Sequence, residues 1–471
     1  SSTLRYTSAN TYLRSWSTNA FVQDDFRMSR KLTLNFGLRY EYFAPYTELN
    51  GHLANLDLKP GFTAASVVVS GQSGAYSGDL PSSLVRSQKR DFSPRFGFAY
   101  RPFQKDSTMI RGGYSIFYSG SPYAQIASQL SAQPPFATTS SISTSLANRL
   151  TLQNGFSTTS SQLTNTYAVN PNQRIGYTQQ WNFGLQHNVT RTMFAEVDYT
   201  GSKGTNNPVT EAPNQAPAGS SPLTAQQLLQ IGNATGFTYL TYGSNSSYNA
   251  GQLRLTRRPV RGMGGNLQYT YAKAIDEATG GVQFVNNWHL ERGLASNDRR
   301  HALQVNFQLS SPVGNNGMLK NSGWQKLLLQ GWSSQGGLQL QSGQPFTAQL
   351  GGALANTGGI GVQGGSRAQA TGLPVTGGTN PYFNLAAFTT PIPGQYGNAG
   401  RNTIPGPMQF TTNLSLNRSF RFGDSRRTVQ LQLRAQNPLN HVYITRFGTT
   451  IGSSNYGLAT AGAATRNVSL Q

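Results

Sequence analysis

The chain has 471 residues, with 37 Lys and Arg against 16 Asp and Glu, a formal net charge of +21 and no cysteine. Only 11% of it is charged and 37% hydrophobic, with 52 Gly, 22 Tyr and 24 Phe, and its mean hydropathy is −0.42. This balance excludes a charged disordered tail, a charged soluble domain and any disulfide or thiolate chemistry. No run reaches the roughly 18 apolar residues of a spanning helix, but a spanning strand needs only about 9–11 residues, every second one apolar. Ser1 is not followed by a basic region and an apolar run, so no secretory signal is read there and the chain is expected to begin inside a longer protein.

The first strong element is KLTLNFGLRYEYF at 31–43. Leu32, Leu34, Phe36, Leu38, Tyr40 and Tyr42 share one face; Thr33, Asn35, Gly37, Arg39 and Glu41 share the other. Strict period two over that length predicts a strand with one apolar and one polar face, long enough to cross a bilayer when tilted. The pattern recurs at 92–103, 108–118, 177–188, 193–200 and 428–437. Weaker segments at 15–27, 248–258, 265–273, 301–311, 329–341, 410–420 and 465–471 bring the count to about 13 strands.

Connections alternate in length. Short links fall near 28–31, 104–107, 189–192, 259–264 and 421–427, with an intermediate one at 312–328. Long links, expected to be structureless, fall near 44–91, 119–176, 201–247, 274–300, 342–409 and 438–464. Short turns on one side and long loops on the other are the rule of an outer-membrane barrel, short turns periplasmic and loops extracellular. The fold class is therefore all-β: an antiparallel transmembrane β-barrel. An odd strand count puts the two ends on opposite sides, and an open sheet cannot sit in lipid, so partner strands are expected upstream. Tyr40, Tyr42, Tyr118, Tyr199, Tyr269 and Tyr271 fall where strands meet the long links, as an interfacial girdle would.

In order along the chain, FVQDDFRMSRKLTLNFGLRYEYF (21–43), FSPRFGFAYRPF (92–103), IRGGYSIFY (110–118), QQWNFGLQ (179–186), VDYTGSKGT (197–205) and SSYNAGQLRLTRR (246–258) occur. They are followed by YTYAKAID (269–276), NDRRH (297–301), GWSSQGGLQLQSGQPFT (331–347), FNLAAF (383–388), YGNAGRNTIPGP (396–407) and LQLRAQNPLNH (431–441). As an ordered set these resemble the C-terminal barrel of Oar-like TonB-dependent outer-membrane receptors of the acidobacterial type. The resemblance implies a roughly 22-stranded barrel, of which residues 1–471 are the C-terminal part. It also implies a signal peptide, a carboxypeptidase-regulatory-like domain, a TonB box and a plug, none of which is in this chain. The family's last strand ends in an aromatic residue; ATRNVSLQ stops at Gln471 without one.

Chemistry is sparse. His52, His187, His289, His301 and His441 are widely spaced, and neither His289 with Glu291 nor Asp298 with His301 has the spacing of a zinc site. The Gly-rich 351–365 lacks the strand-to-helix context of a phosphate loop, and no GxSxG elbow is present. No metal, cofactor or enzymatic activity is expected. The basic residues form no dense stripe, so nucleic acid is not an expected partner; lipopolysaccharide and other outer-membrane lipid are. Arg39, Glu41, Arg95, Arg111, Glu196, Asp198 and Arg434 are expected to face the lumen, with pairing that keeps a wet wall neutral. Asp24 and Asp25 are read as rim or lumen carboxylates. The resemblance implies a receptor that binds a ligand at its outer loops and lumen, with TonB-energised passage through the N-terminal part. Tyr123, Trp288, His289, Tyr382, Phe383 and Tyr396 are the candidate ligand contacts. A structural, adhesive or protein-export barrel is the alternative.

Overall fold

The structure, a computed structural model, describes residues 2–7, 10–103, 107–119, 123–142, 163, 165–214, 231–234, 236–278, 282–283, 285, 287–311, 330–351, 366–392, 396–422, 427–463 and 465–471. A single antiparallel meander forms the wall. Its strands are β1 (Ser17–Phe26), β2 (Leu32–Phe43), β3 (Asp91–Tyr100), β4 (Thr108–Tyr118), β5 (Tyr177–Asn188), β6 (Met193–Glu211) and β7 (Thr238–Val260). They continue as β8 (Met263–Glu277), β9 (His301–Ser310), β10 (Trp332–Gln341), β11 (Gln409–Phe422), β12 (Arg427–Gln436) and β13 (Asn467–Leu470). Each pairs with its chain neighbours, and β1 and β13 are the edges of the sheet among the described residues.

Residues opposite one another in an antiparallel pair lie on the same face, so the register carries polarity from strand to strand. Gly37 faces Arg95, Ala99 faces Arg111, Arg111 faces Gly184, Gly184 faces Asp198 and Glu196 faces Arg254. The line continues through Gln268, Gln304 and Gln339 to Asn413, Ser415 and Arg434 in the later strands. On the other face Phe183 and Val197 are each 53% exposed, which suits lipid and not water. Glycines on this face make room for aromatic rings opposite: a Cβ at Gly201 would meet the Trp181 indole, and one at Gly112 the Phe98 ring. A two-residue turn joins β7 to β8, with Arg261 at φ 52° and Gly262 at φ 79°, the left-handed pair that matches strand twist in a tight hairpin.

Two expectations are corrected. The expected strands at 193–200 and 248–258 run on to Glu211 and back to Thr238, through a bulge between Gly204 and Asn207. Above the membrane neither face must be apolar, so the Gly- and Asn-rich stretch pairs without an alternating pattern. The long links are also not structureless. They hold a helix, α1 (Tyr123–Ser131), a hairpin of Ala54–Leu58 with Ala65–Val69, and several buried clusters. The link expected at 312–328, most of the one at 421–427, and the Gly-rich 352–365 within the 342–409 link lie outside the described residues.

Candidate functional site

The polar face of the wall is a ladder of charge and amide groups. Arg39 pairs with Glu41 at 3.0 Å. Arg111 binds Glu196 and also Asp198, the latter at 3.2 Å, while Arg254 reaches Glu196 at 3.3 Å and Gln268 at 3.1 Å. Arg95 takes no carboxylate in this ladder; its guanidinium lies 5.0 Å from the Phe117 ring centroid. Arg434 donates to Gln432 at 2.9 Å. It borders a groove of about 620 Å³ on this face, lined by Asn266, Asn306, Gln308, Asn413 and Ser469. Asp25 accepts from Asn35 on this face, whereas Asp24 stands opposite Phe36 on the lipid face, two residues from the short turn. Two tyrosines of the expected girdle have polar partners for their hydroxyls: Asn249 for Tyr199 and His301 for Tyr269, both at 2.7 Å. An apolar ring with a wet hydroxyl suits the membrane interface.

Above the wall the long links pack into a roof. On α1 the buried positions Tyr123, Ile126, Ala127 and Leu130 recur at helical spacing and pack on Leu53, Val68, Leu84 and Val169. Asn55 fixes that contact by donating to the Val169 carbonyl at 2.9 Å and accepting from its N–H at 3.0 Å. A second cluster gathers Phe346, Tyr382, Phe383, Phe388, Phe447 and Tyr456. A third element is ionic. Glu291 accepts from Arg367 at 3.3 Å and from the Gln283 N–H at 2.9 Å, and Arg401 pairs with Asp276 at 2.8 Å. Arg401 also donates to the Glu291 carbonyl at 2.7 Å, and Gln283 accepts from the Arg367 N–H at 2.7 Å. All four charged side chains are under 10% exposed, so this cluster clamps the 276–294 link to residues 366–402.

The six expected ligand contacts divide among these regions. Tyr123 and Phe383 are each 1% exposed; their rings are committed to the roof's cores and present no surface to a ligand. Tyr382 is half-buried and stacks on Phe447 with centroids 5.2 Å apart. Tyr396 is half-buried, and burial raises its hydroxyl pKa. Trp288 donates its indole N–H to Glu211 at 2.6 Å. Burial pushes the Glu211 carboxyl up to about 7, against the lowering effect of that hydrogen bond. His289 stays outside, its side chain 89% exposed and 4.0 Å from Glu277. The sequence reading missed Glu211, Asp276, Arg367 and Arg401, and weighed Glu291 only beside His289. Among the described residues no three His, Cys, Asp or Glu side chains gather as metal ligands would.

Residues 1–469 match the model of the family described as outer membrane beta barrel domain. The chain belongs to that family. Its localisation is the bacterial outer membrane, and its wall is the antiparallel barrel sheet that the strand pattern predicts. Among solved structures it is similar to the P. aeruginosa receptor FpvA bound to heterologous pyoverdines, with 10% identity, TM-score 0.48, and coverage of 98% of this chain and 38% of that one. It is similar to the siderophore receptor PiuA from Acinetobacter baumannii, with 12% identity, TM-score 0.45 and coverage of 96% and 42%. It is also similar to the outer membrane transporter YddB from Escherichia coli, with 12% identity, TM-score 0.47 and coverage of 97% and 53%. The chain thus spans about two-fifths to one-half of these proteins. No curated protein matches it.

Proposed function

We propose that this chain is wall and ligand-selecting roof of an Oar-like TonB-dependent receptor, which binds a ligand at its outer loops and lumen for energised passage. The supporting observation is the union of two surfaces. One continuous polar face runs through the wall, from Arg39 to Arg434, and a packed roof rises from the ends of the same strands. A barrel used only as an anchor needs the lipid face but not a roof clamped by buried Arg–carboxylate pairs. In this reading the plug, the TonB contact and the remaining strands belong to the N-terminal part of the protein. The exposed or half-buried Trp288, His289, Tyr382 and Tyr396 remain proposed ligand contacts.

Two measurements test it. The intact mass of the protein extracted from outer membranes should be about 100 kDa or more, roughly twice the 50.9 kDa of this chain. A producing strain should also deplete some solute from complex medium that a deletion strain leaves, and a protonophore should abolish the difference. A mass near that of the chain, or no solute so depleted, would sink the transporter and favour a structural, adhesive or export barrel.

A further inference from the structure

Positive charge gathers on the turns at the short-turn end of the wall. At the loop end several cations meet carboxylates, Arg292 with Glu277, Arg300 with Asp298, Arg367 with Glu291 and Arg401 with Asp276, while Lys89 and Arg90 are exposed. At the short-turn end Arg27, Arg30, Arg191, Arg257, Arg258 and Arg261 are all exposed, and none pairs with a carboxylate among the described residues. Four of these converge on two neighbouring hairpin turns. Arg257 stands opposite Met193, and the Arg258 N–H donates to the Thr192 carbonyl at 2.8 Å, which brings Arg191 alongside. Arg261 occupies the two-residue turn next to them.

The register also sets the depth. Arg257 follows Leu253 and Leu255 on the lipid face, where the hydrocarbon must end. Further round the rim, Arg418 on the same face lies 5.2 Å from the Trp332 ring and 4.6 Å from Phe420, an aromatic and cationic pairing that suits the headgroup level. An Arg there lays its stem on apolar surface and holds its guanidinium among headgroups. Its planar fork fits a phosphate bidentately.

We propose that Arg191, Arg257 and Arg261 form a binding surface for the phosphodiester headgroup of an anionic glycerophospholipid in the leaflet at the short-turn end. The proposal rests on the barrel reading and not on what the barrel carries, so the solute-depletion test can fail while this one succeeds. Near an anionic membrane each basic residue is worth about 1 kcal/mol, roughly a fivefold change in affinity.

The test is native mass spectrometry of the whole protein, extracted from outer membranes in neutral detergent and titrated with phosphatidylglycerol or phosphatidylcholine. Phosphatidylglycerol should be retained in preference, and the preference should fall as salt rises. The combined variant R191Q, R257Q and R261Q should lose phosphatidylglycerol affinity by about a hundredfold while keeping its heat-modifiable gel mobility. Lys at the three positions should keep most of the binding. Equal retention of the two lipids would overturn the proposal, as would undiminished phosphatidylglycerol binding by the Gln variant. So would loss of that binding on K89Q and R90Q at the loop end, which would place the anion site on the lipopolysaccharide side. If the Gln variant does not fold, salt-independent retention by the unsubstituted protein or by the Lys variant overturns it equally.

Discussion

Arg111 in the wall and Arg367 in the roof both meet a glutamate, but in opposite settings. The Arg111 side chain is 44% exposed and shares Glu196 with Arg254. The Arg367 side chain is 5% exposed, its Glu291 partner 2%. In the wall water completes the solvation of each ion, so pairing tunes the lumen without deciding whether the strands form. In the roof each ion depends on its partners, because a buried charge without one is costly. The lesson is that the wall is held by lipid-facing alternation and backbone ladders, whereas the roof is held by side chains distant in sequence.

The largest expected effect breaks the roof and spares the wall. Glu291→Ala removes the carboxylate that meets the Arg367 guanidinium and the acceptor of the Gln283 N–H. Losing one partner of a buried pair costs about 3–5 kcal/mol. Limited proteolysis should cut residues 282–294 and 366–402, while heat-modifiable gel mobility stays that of the folded barrel. Simultaneous loss of the barrel band would show wall and roof to be one cooperative unit. Next comes a change that should break the wall. Leu253→Arg sets a charge on the lipid face and should cost about 2–4 kcal/mol in guanidinium unfolding from vesicles, whereas Gln268→Arg on the lumen face should change stability by under about 1 kcal/mol. Equal costs would show that the faces are assigned wrongly.

That contrast also explains what was legible in the sequence. The wall strands were readable because lipid forces period two, as at Leu32–Phe43, and the register then places Arg39, Glu41, Arg95, Arg111, Glu196, Asp198 and Arg434 on one face. The force ends where the membrane ends, so the pairing of Val209, Thr210 and Glu211 with Thr241, Leu240 and Tyr239 left no periodic trace. Glu291 and Arg367 lie 76 residues apart, and no local spacing announces such a pair. Loop aromatics were a visible signal with two meanings, since an aromatic ring serves a ligand surface or a small core equally well. Tyr123 and Phe383 took the second role. Their helical spacing with Ile126 and Leu130, in the first case, was the clue available.

A third prediction concerns pH, and belongs to the roof alone. Glu211 binds its proton more tightly folded than unfolded, with a carboxyl raised from 4.5 to about 7. Between those values the folded roof holds more protons, so its stability is greatest below pH 4.5 and falls as pH rises through 7. The whole change is on the order of 3 kcal/mol for a shift of that size. Protection from hydrogen exchange at 287–294, relative to the intrinsic rate at each pH, should be lower at pH 8 than at pH 5, and Glu211→Gln should flatten the dependence, since Gln keeps an acceptor for Trp288. An unchanged slope in that variant would assign the effect to another group.

The smallest expected effect returns to the wall and asks whether its ion pairs matter to folding at all. Arg39 and Glu41 are 3.0 Å apart on one strand, with the Arg side chain 39% exposed. Exposed pairs contribute about 0.2–1 kcal/mol, less in salt. Arg39→Gln should therefore leave guanidinium unfolding from vesicles within about 1 kcal/mol of the unsubstituted protein. Glu41 would then stand uncompensated in the lumen, so any change in solute passage without a change in stability would separate the two duties of the wall. A destabilisation matching that of Glu291→Ala would instead mean that Arg39 is solvated by protein and not by water, and that the wall is closed to solvent at this height.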